Sequence, residues 1–166
     1  MNAMIKRSLP WVFVFLLPFA AIAQKKREII PRDSITGKYT YEGIEQVEGS
    51  AIEALRTRLE KWSKQHFNPE ESEYASVVQD GDSYVLHDRE ALPGKARKFI
   101  EYDLTIDLKD DRYRYKLGKI EYIAVGKYPL EDKMATDKRS DLEEIHVICS
   151  NILASLKASM TKGDDW

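Results

Sequence analysis

Ile100-Glu101-Tyr102-Asp103-Leu104-Thr105-Ile106-Asp107-Leu108, then Lys109-Asp110-Asp111-Arg112, then Tyr113-Arg114-Tyr115-Lys116-Leu117, decides the fold. Apolar side chains alternate with Glu, Asp and Thr through the first nine residues, the two-residue period of a strand with one buried and one wet face. If Asp110-Asp111 is a two-residue turn, Leu108 meets Tyr113, Ile106 meets Tyr115 and Leu104 meets Leu117 on the inner face. The same register sets Asp107 opposite Arg114 on the outer face, where unlike charges attract. A slip by one residue would turn every side chain over. Beyond Leu117, Gly118 permits a phase shift, after which Ile120, Tyr122 and Ala124 carry the inner face.

Upstream of this hairpin, residues 74–79 and 83–92 read as two further strands around Asp80-Gly81, a tight-turn dipeptide. A turn at those two residues pairs Val77 with Tyr84 and Ala75 with Leu86. Residues 38–47 read as a strand in which Tyr39, Tyr41, Ile44 and Val47 change phase at Gly43, the mark of a bulge. Two stretches carry the helical period: Ile52, Leu55, Leu59, Trp62 and His66, and later Leu142, Ile145, Cys149, Ile152, Leu156 and Met160. Ser50 with Glu53, and Ser140 with Glu143, have the spacing of capping boxes, with Asn68-Pro69 stopping the first helix and Gly163 closing the second. The stretch from Gly126 to Arg139 reads as a polar loop. The order β-α-β-β-β-β-α implies an α+β fold: an antiparallel curved sheet with two helices packed on one face.

The N-terminus has a different grammar. Lys6 and Arg7 precede an apolar run from Trp11 to Ala23, which ends Ala21-Ile22-Ala23 before Gln24. A positive start, a short apolar stretch and a small-x-small end describe a secretory signal peptide. A membrane anchor needs about 20 apolar residues, and this run is shorter and interrupted by Pro18. A lipid anchor needs Cys at the cleavage point, and the only Cys is Cys149. The expected organisation is a signal peptide over 1–23, an extended leader over 24–35 and one domain over 36–162. The protein is then exported, to the periplasm or the medium, with no membrane span after cleavage.

Composition narrows function. The 166 residues carry 26 Lys+Arg against 28 Asp+Glu. The signal segment takes away two positive charges, so 24 basic residues face 28 acidic ones in the exported chain. An acidic exported protein is a poor ligand for phosphate backbones, so nucleic acid is not an expected partner. A single Cys excludes a disulfide framework and multi-Cys metal sites.

The candidate chemistry is sparse. Glu143-x-x-His146 has the spacing of a carboxylate–histidine metal motif, but no second such motif exists and Glu143 has a capping role. Asp107, Asp110 and Asp111 crowd one turn without the alternation or distal Glu of a calcium loop. Asp80-Gly81-Asp82 reads as a hairpin turn rather than a cation site. Glu101 and Asp103 lie two apart on a strand, without the apolar surroundings that would raise one carboxyl for acid catalysis. Cys149 sits in the apolar stripe of the last helix and reads as an inert thiol. The sequence contains no nucleophile elbow, glycine-rich phosphate loop or His-Glu-x-x-His.

Thr36-Gly37-Lys38-Tyr39-Thr40-Tyr41-Glu42, the helix around Leu55 to Trp62, and Asp107-Leu108-Lys109-Asp110-Asp111-Arg112-Tyr113-Arg114-Tyr115 together resemble a bacterial envelope family known only as a domain of unknown function with a TBP-like fold. The resemblance spans Asp33 to Met160 and implies that fold. It implies no catalytic residue and no cofactor, and a fold name does not import DNA binding. The family carries Gly where this chain has Asp111; two Asp residues make a less favourable primed turn, so a longer loop is the alternative there.

Three functions follow as expectations. The first is a non-enzymatic binding or interaction module of the cell envelope, its partner an unknown envelope protein meeting the outer sheet face or the loop from Gly126 to Arg139. The alternative is a carrier of a small apolar ligand, in a cavity between the sheet and the C-terminal helix lined by Trp62, Tyr102, Tyr113, Tyr115 and Tyr122. The third is an enzyme, for which no catalytic, cofactor-binding or metal-binding residue can be named.

Overall fold

The structure, a computed structural model, describes residues 28–67, 72–132 and 138–162. The signal segment, Asn68-Pro69 and Gly163 lie outside the described residues. The strands are β1 (Tyr41–Gln46), β2 (Ser76–Asp80), β3 (Ser83–Ala91), β4 (Phe99–Lys109), β5 (Arg112–Ile123) and β6 (Lys127–Pro129), and the helices are α1 (Ile52–His66) and α2 (Arg139–Thr161). All strands pair antiparallel in one sheet of order β1-β5-β4-β3-β2, with β6 extending β5 beside β1.

The central hairpin has the register its alternation dictates. Leu108 pairs with Tyr113, Ile106 with Tyr115, Leu104 with Leu117 and Asp107 with Arg114. Only Asp110 and Asp111 lie between the paired Lys109 and Arg112, so the turn stays at two residues. Asp111 takes the left-handed conformation there, φ 62°. The phase shift after Leu117 is also present: Lys119 and Ile120 together face Tyr102, and the left-handed residue is Lys119 at φ 49°, not Gly118.

Three local expectations are corrected. The β2–β3 turn is Gly81-Asp82, so Val77 pairs with Leu86 and Gln79 with Tyr84. The displacement is two residues, which preserves the faces. β1 has no bulge: Tyr41 to Gln46 pair with β5 without interruption. At Gly43 the Tyr115 ring lies over the backbone; a Cβ there would come within 2.7 Å of the Tyr115 hydroxyl, so the ring would have to shift to admit any other residue. Ile44 points to the outer face, which is what made the apolar pattern look shifted. Finally, Lys127–Pro129 forms β6 instead of loop, and Leu130 behind it is buried.

Neither capping box forms. α1 starts after Ala51, and its first N–H, on Ile52, donates to Asp110 Oδ1 of the hairpin tip at 2.9 Å. Ser50 Oγ instead accepts from the Arg58 guanidinium, which also donates to the Met160 carbonyl at the end of α2. In α2 Glu143 pairs with Arg139, one turn back. A single apolar layer binds the two helices to the inner sheet face. Leu55, Leu59 and Trp62 of α1 and Ile145, Cys149, Ile152, Leu156 and Met160 of α2 are buried against Leu86, Ile100, Leu104, Ile106 and Leu117. The Trp62 indole N–H finds Ser155 Oγ at 3.0 Å, so its burial leaves no orphaned donor. Ile30, which falls in the stretch read as leader, is buried in the same core, and Arg32 bridges to Tyr39. Among the described residues no helix is long and apolar enough to cross a membrane.

Candidate functional site

The outer face of the sheet is wet, and its charges are arranged in cross-strand sets. Asp107 accepts from Arg114 at 2.7 Å and from Ser83 at 2.7 Å. Asp103 holds Lys119 at 2.7 Å and His87 Nδ1 at 2.8 Å. Glu101 is buried, bonded to Arg89 and to Lys127, and Lys127 also pairs with Glu121. Burial alone would raise these three carboxyls, but their cationic and hydroxyl partners hold all three below the usual carboxylate range. The hairpin face that reads as acidic in sequence is thus neutralised residue by residue. Glu101 and Asp103 are ion-pair partners, the opposite of a general acid with a raised pKa.

Toward the hairpin tip the balance changes. A groove of about 240 Å³ is lined by Ile44, Asp107, Lys109, Arg112, Tyr113 and Arg114. Asp107 is committed to Arg114, whereas Lys109 and Arg112, a cross-strand pair, make no ion pair with any described residue. Ile44 beside them is 62% exposed. The groove therefore combines free positive charge with an apolar foothold. Sequence reading missed it because Ile44 looked like a core residue out of phase. The legible signal was the excess of Lys and Arg over Asp on the outward positions 107, 109, 112 and 114.

A second cleft of about 220 Å³ lies between the N-terminal segment and β1, lined by Pro31, Arg32, Asp33, Thr40, Tyr41, Glu42 and Tyr115. No helix residue lines it. Of the tyrosines and tryptophan expected around a ligand cavity, Trp62, Tyr102 and Tyr122 are buried as core packing, while Tyr113, itself buried, borders the hairpin-tip groove and Tyr115 borders this cleft. Both clefts are smaller than the roughly 300 Å³ at which small-molecule pockets begin.

The inner face carries one polar end. Asp88 and Glu90 continue the inward alternation of Tyr84 and Leu86, and Asp88 pairs across the strands with Tyr102. Asp88 is 6% exposed and, among the described residues, accepts only from the Arg89 backbone N–H. The Tyr102 hydroxyl and His66 Nε2 are buried without a hydrogen-bond partner among the described residues. Desolvation raises both carboxyls and lowers the imidazole. These groups are proton-sensitive, yet among the described residues no cluster of three His, Cys, Asp or Glu could hold a metal. Elsewhere, His146 Nδ1 bonds the Tyr41 hydroxyl at 2.8 Å while Glu143 faces Arg139, so the Glu-x-x-His pair does not converge. Cys149 is fully buried and its thiol is pushed up to about 12. Asp82 receives Arg56 at 2.6 Å, which gives the β2–β3 turn an ion pair to α1.

A family model described as a domain of unknown function (DUF4468) with TBP-like fold matches residues 41–123, from the start of β1 to the end of β5. The chain belongs to this family. Its DUF4468 architecture is shared with solved bacterial proteins. A TBP-like protein from Parabacteroides distasonis superposes with a TM-score of 0.68 at 16% identity, over 82% of this chain and 100% of that one. A DUF4468 family protein from Bacteroides ovatus superposes with a TM-score of 0.63 at 15% identity, over 83% of this chain and 94% of that one. At such identities the likeness shows the fold alone. No curated protein matches the chain.

Proposed function

We propose that this DUF4468 chain is an exported, non-enzymatic binding module of the cell envelope, and that it receives an acidic segment of an envelope protein in the groove at the tip of the β4–β5 hairpin. One observation carries the reading: Lys109 and Arg112, which make no ion pair with any described residue, stand beside exposed Ile44, while the neighbouring charges Asp107, Arg114, Asp103, Lys119 and Glu101 are held in cross-strand pairs. Arg and Lys bind carboxylates or phosphates, and an apolar contact next to them adds area. Export rests on the signal-like first 23 residues. The non-enzymatic part rests on the dispersal of the titratable side chains: Glu143, His146, Cys149, Glu101 and Asp103 each end in a structural contact or in the core.

The test is a paired capture from the host's envelope fraction, using wild type and the Lys109→Glu/Arg112→Glu variant. The wild type should retain a partner that the variant loses, and N-terminal sequencing should find Gln24 first. Equal capture by both proteins, or an intact Met1 in the cytoplasm, contradicts the proposal.

A further inference from the structure

The sheet has three edges, and they are not equivalent. β6 is three residues long and contains Lys127 and Pro129, both devices that discourage further pairing. β1 carries Glu42 and Glu45, and Glu45 is held by Lys157 at 2.7 Å. β2 has no such protection. Its five residues, Ser76-Val77-Val78-Gln79-Asp80, contain no proline, lysine or bulge, pair among the described residues with β3 alone, and are all exposed. Val78 is 62% exposed.

Backbone geometry sets what can cover this edge. The two-residue Gly81-Asp82 turn makes Asp80 and Ser83 the closing pair. Alternation along an antiparallel ladder then directs the N–H and C=O groups of Val77 and Gln79 away from β3, toward the free edge. A second β2 running antiparallel satisfies them in one register, with Val77 opposite Gln79 twice and Val78 opposite itself. The charges agree with that register. Asp80, the only ionised residue of β2, meets Ser76 of the other copy, so no like charges oppose each other. Val78 and Val85, paired on the outer face, would form a four-valine patch across the junction.

We propose that two copies of this chain join through β2 into one continuous twelve-stranded sheet with a two-fold axis at Val78. The dimer presents both hairpin-tip grooves on the same extended outer face.

The experiment is sedimentation velocity on protein purified from cells expressing the full chain, across a concentration series reaching about 1 mM. Wild type should shift from monomer to dimer with concentration, and Val78→Lys should stay monomeric with unchanged far-ultraviolet circular dichroism. Val78→Cys should form a disulfide-linked dimer on mild oxidation, while Val125→Cys, also exposed, should not. A wild type that remains monomeric throughout overturns the proposal. So does a dimer that survives Val78→Lys, or one in which Val78→Cys fails to cross-link.

Discussion

Asp110 at the tip of the β4–β5 hairpin caps helix α1, its Oδ1 accepting the Ile52 N–H at 2.9 Å. The same tip is held by two backbone bonds, Asp111 N–H to the Ser50 carbonyl and Val47 N–H to the Asp111 carbonyl. A contact 58 residues away in sequence thus replaces the local capping box, and it fixes the hairpin tip, and with it the groove, relative to the helical layer.

Loss of that cap should be measurable. Asp110→Ala should lower unfolding free energy by about 1 kcal/mol, the usual worth of a side-chain acceptor at a helix start. Asp110→Asn keeps the acceptor and should cost less. Urea titration followed by circular dichroism measures both, and an Asp110→Ala variant as stable as wild type contradicts the capping role.

Asp111 holds a left-handed conformation at φ 62° that side chains adopt at a cost. Glycine adopts it freely, so Asp111→Gly should stabilise the protein by about 0.5–1 kcal/mol in the same titration. Asp111→Ala should do the reverse. If both substitutions act alike, backbone strain is not what the position stores.

Two carboxyls should give opposite pH dependences. Asp141, 2% exposed, accepts from Lys95, Lys98 and the Tyr122 hydroxyl, and these donors hold it far below the usual aspartate range despite its burial. Its stabilisation is complete above the unfolded value of about 3.9 and fades as pH falls further toward the folded one. Asp141→Asn should therefore cost about 3 kcal/mol at pH 7 and progressively less in stronger acid. Burial raises Asp88 instead, and no cation pairs with it among the described residues. A raised carboxyl destabilises the fold as pH climbs past the unfolded value. Asp88→Asn should thus stabilise by on the order of 1 kcal/mol at pH 7, with the gain vanishing near pH 3–4. Chemical denaturation at a series of pH values checks both signs.

The sequence made the central hairpin legible because two independent constraints, apolar pairs within and Asp107 opposite Arg114 without, are satisfied by one register. Both helices were legible from the 3.6-residue stripe, and their burial follows it from Leu55 to Trp62 and from Ile145 to Met160. What could not be read was set by distant contacts. Ser50 and Ser140 have the right spacing for caps, but Asp110 and the Asp141–lysine cluster occupy those helix starts. Gly43 looked like a bulge because the ring of Tyr115, 72 positions on, was invisible from its neighbours. β6 was hidden because three residues ending in Pro129 carry no period to read. The groove was missed for a related reason: free charge is a statement about partners, and partners appear only once the strands are side by side.

The proposed function requires that the groove beside Ile44 meet an acidic partner after export. Its most direct measurement is photocross-linking in the native host, with benzoylphenylalanine installed at position 44. One dominant adduct with an envelope protein should form, and it should be abolished when Lys109 and Arg112 are both changed to Glu. No adduct at position 44, or an adduct unchanged by that charge reversal, would contradict it.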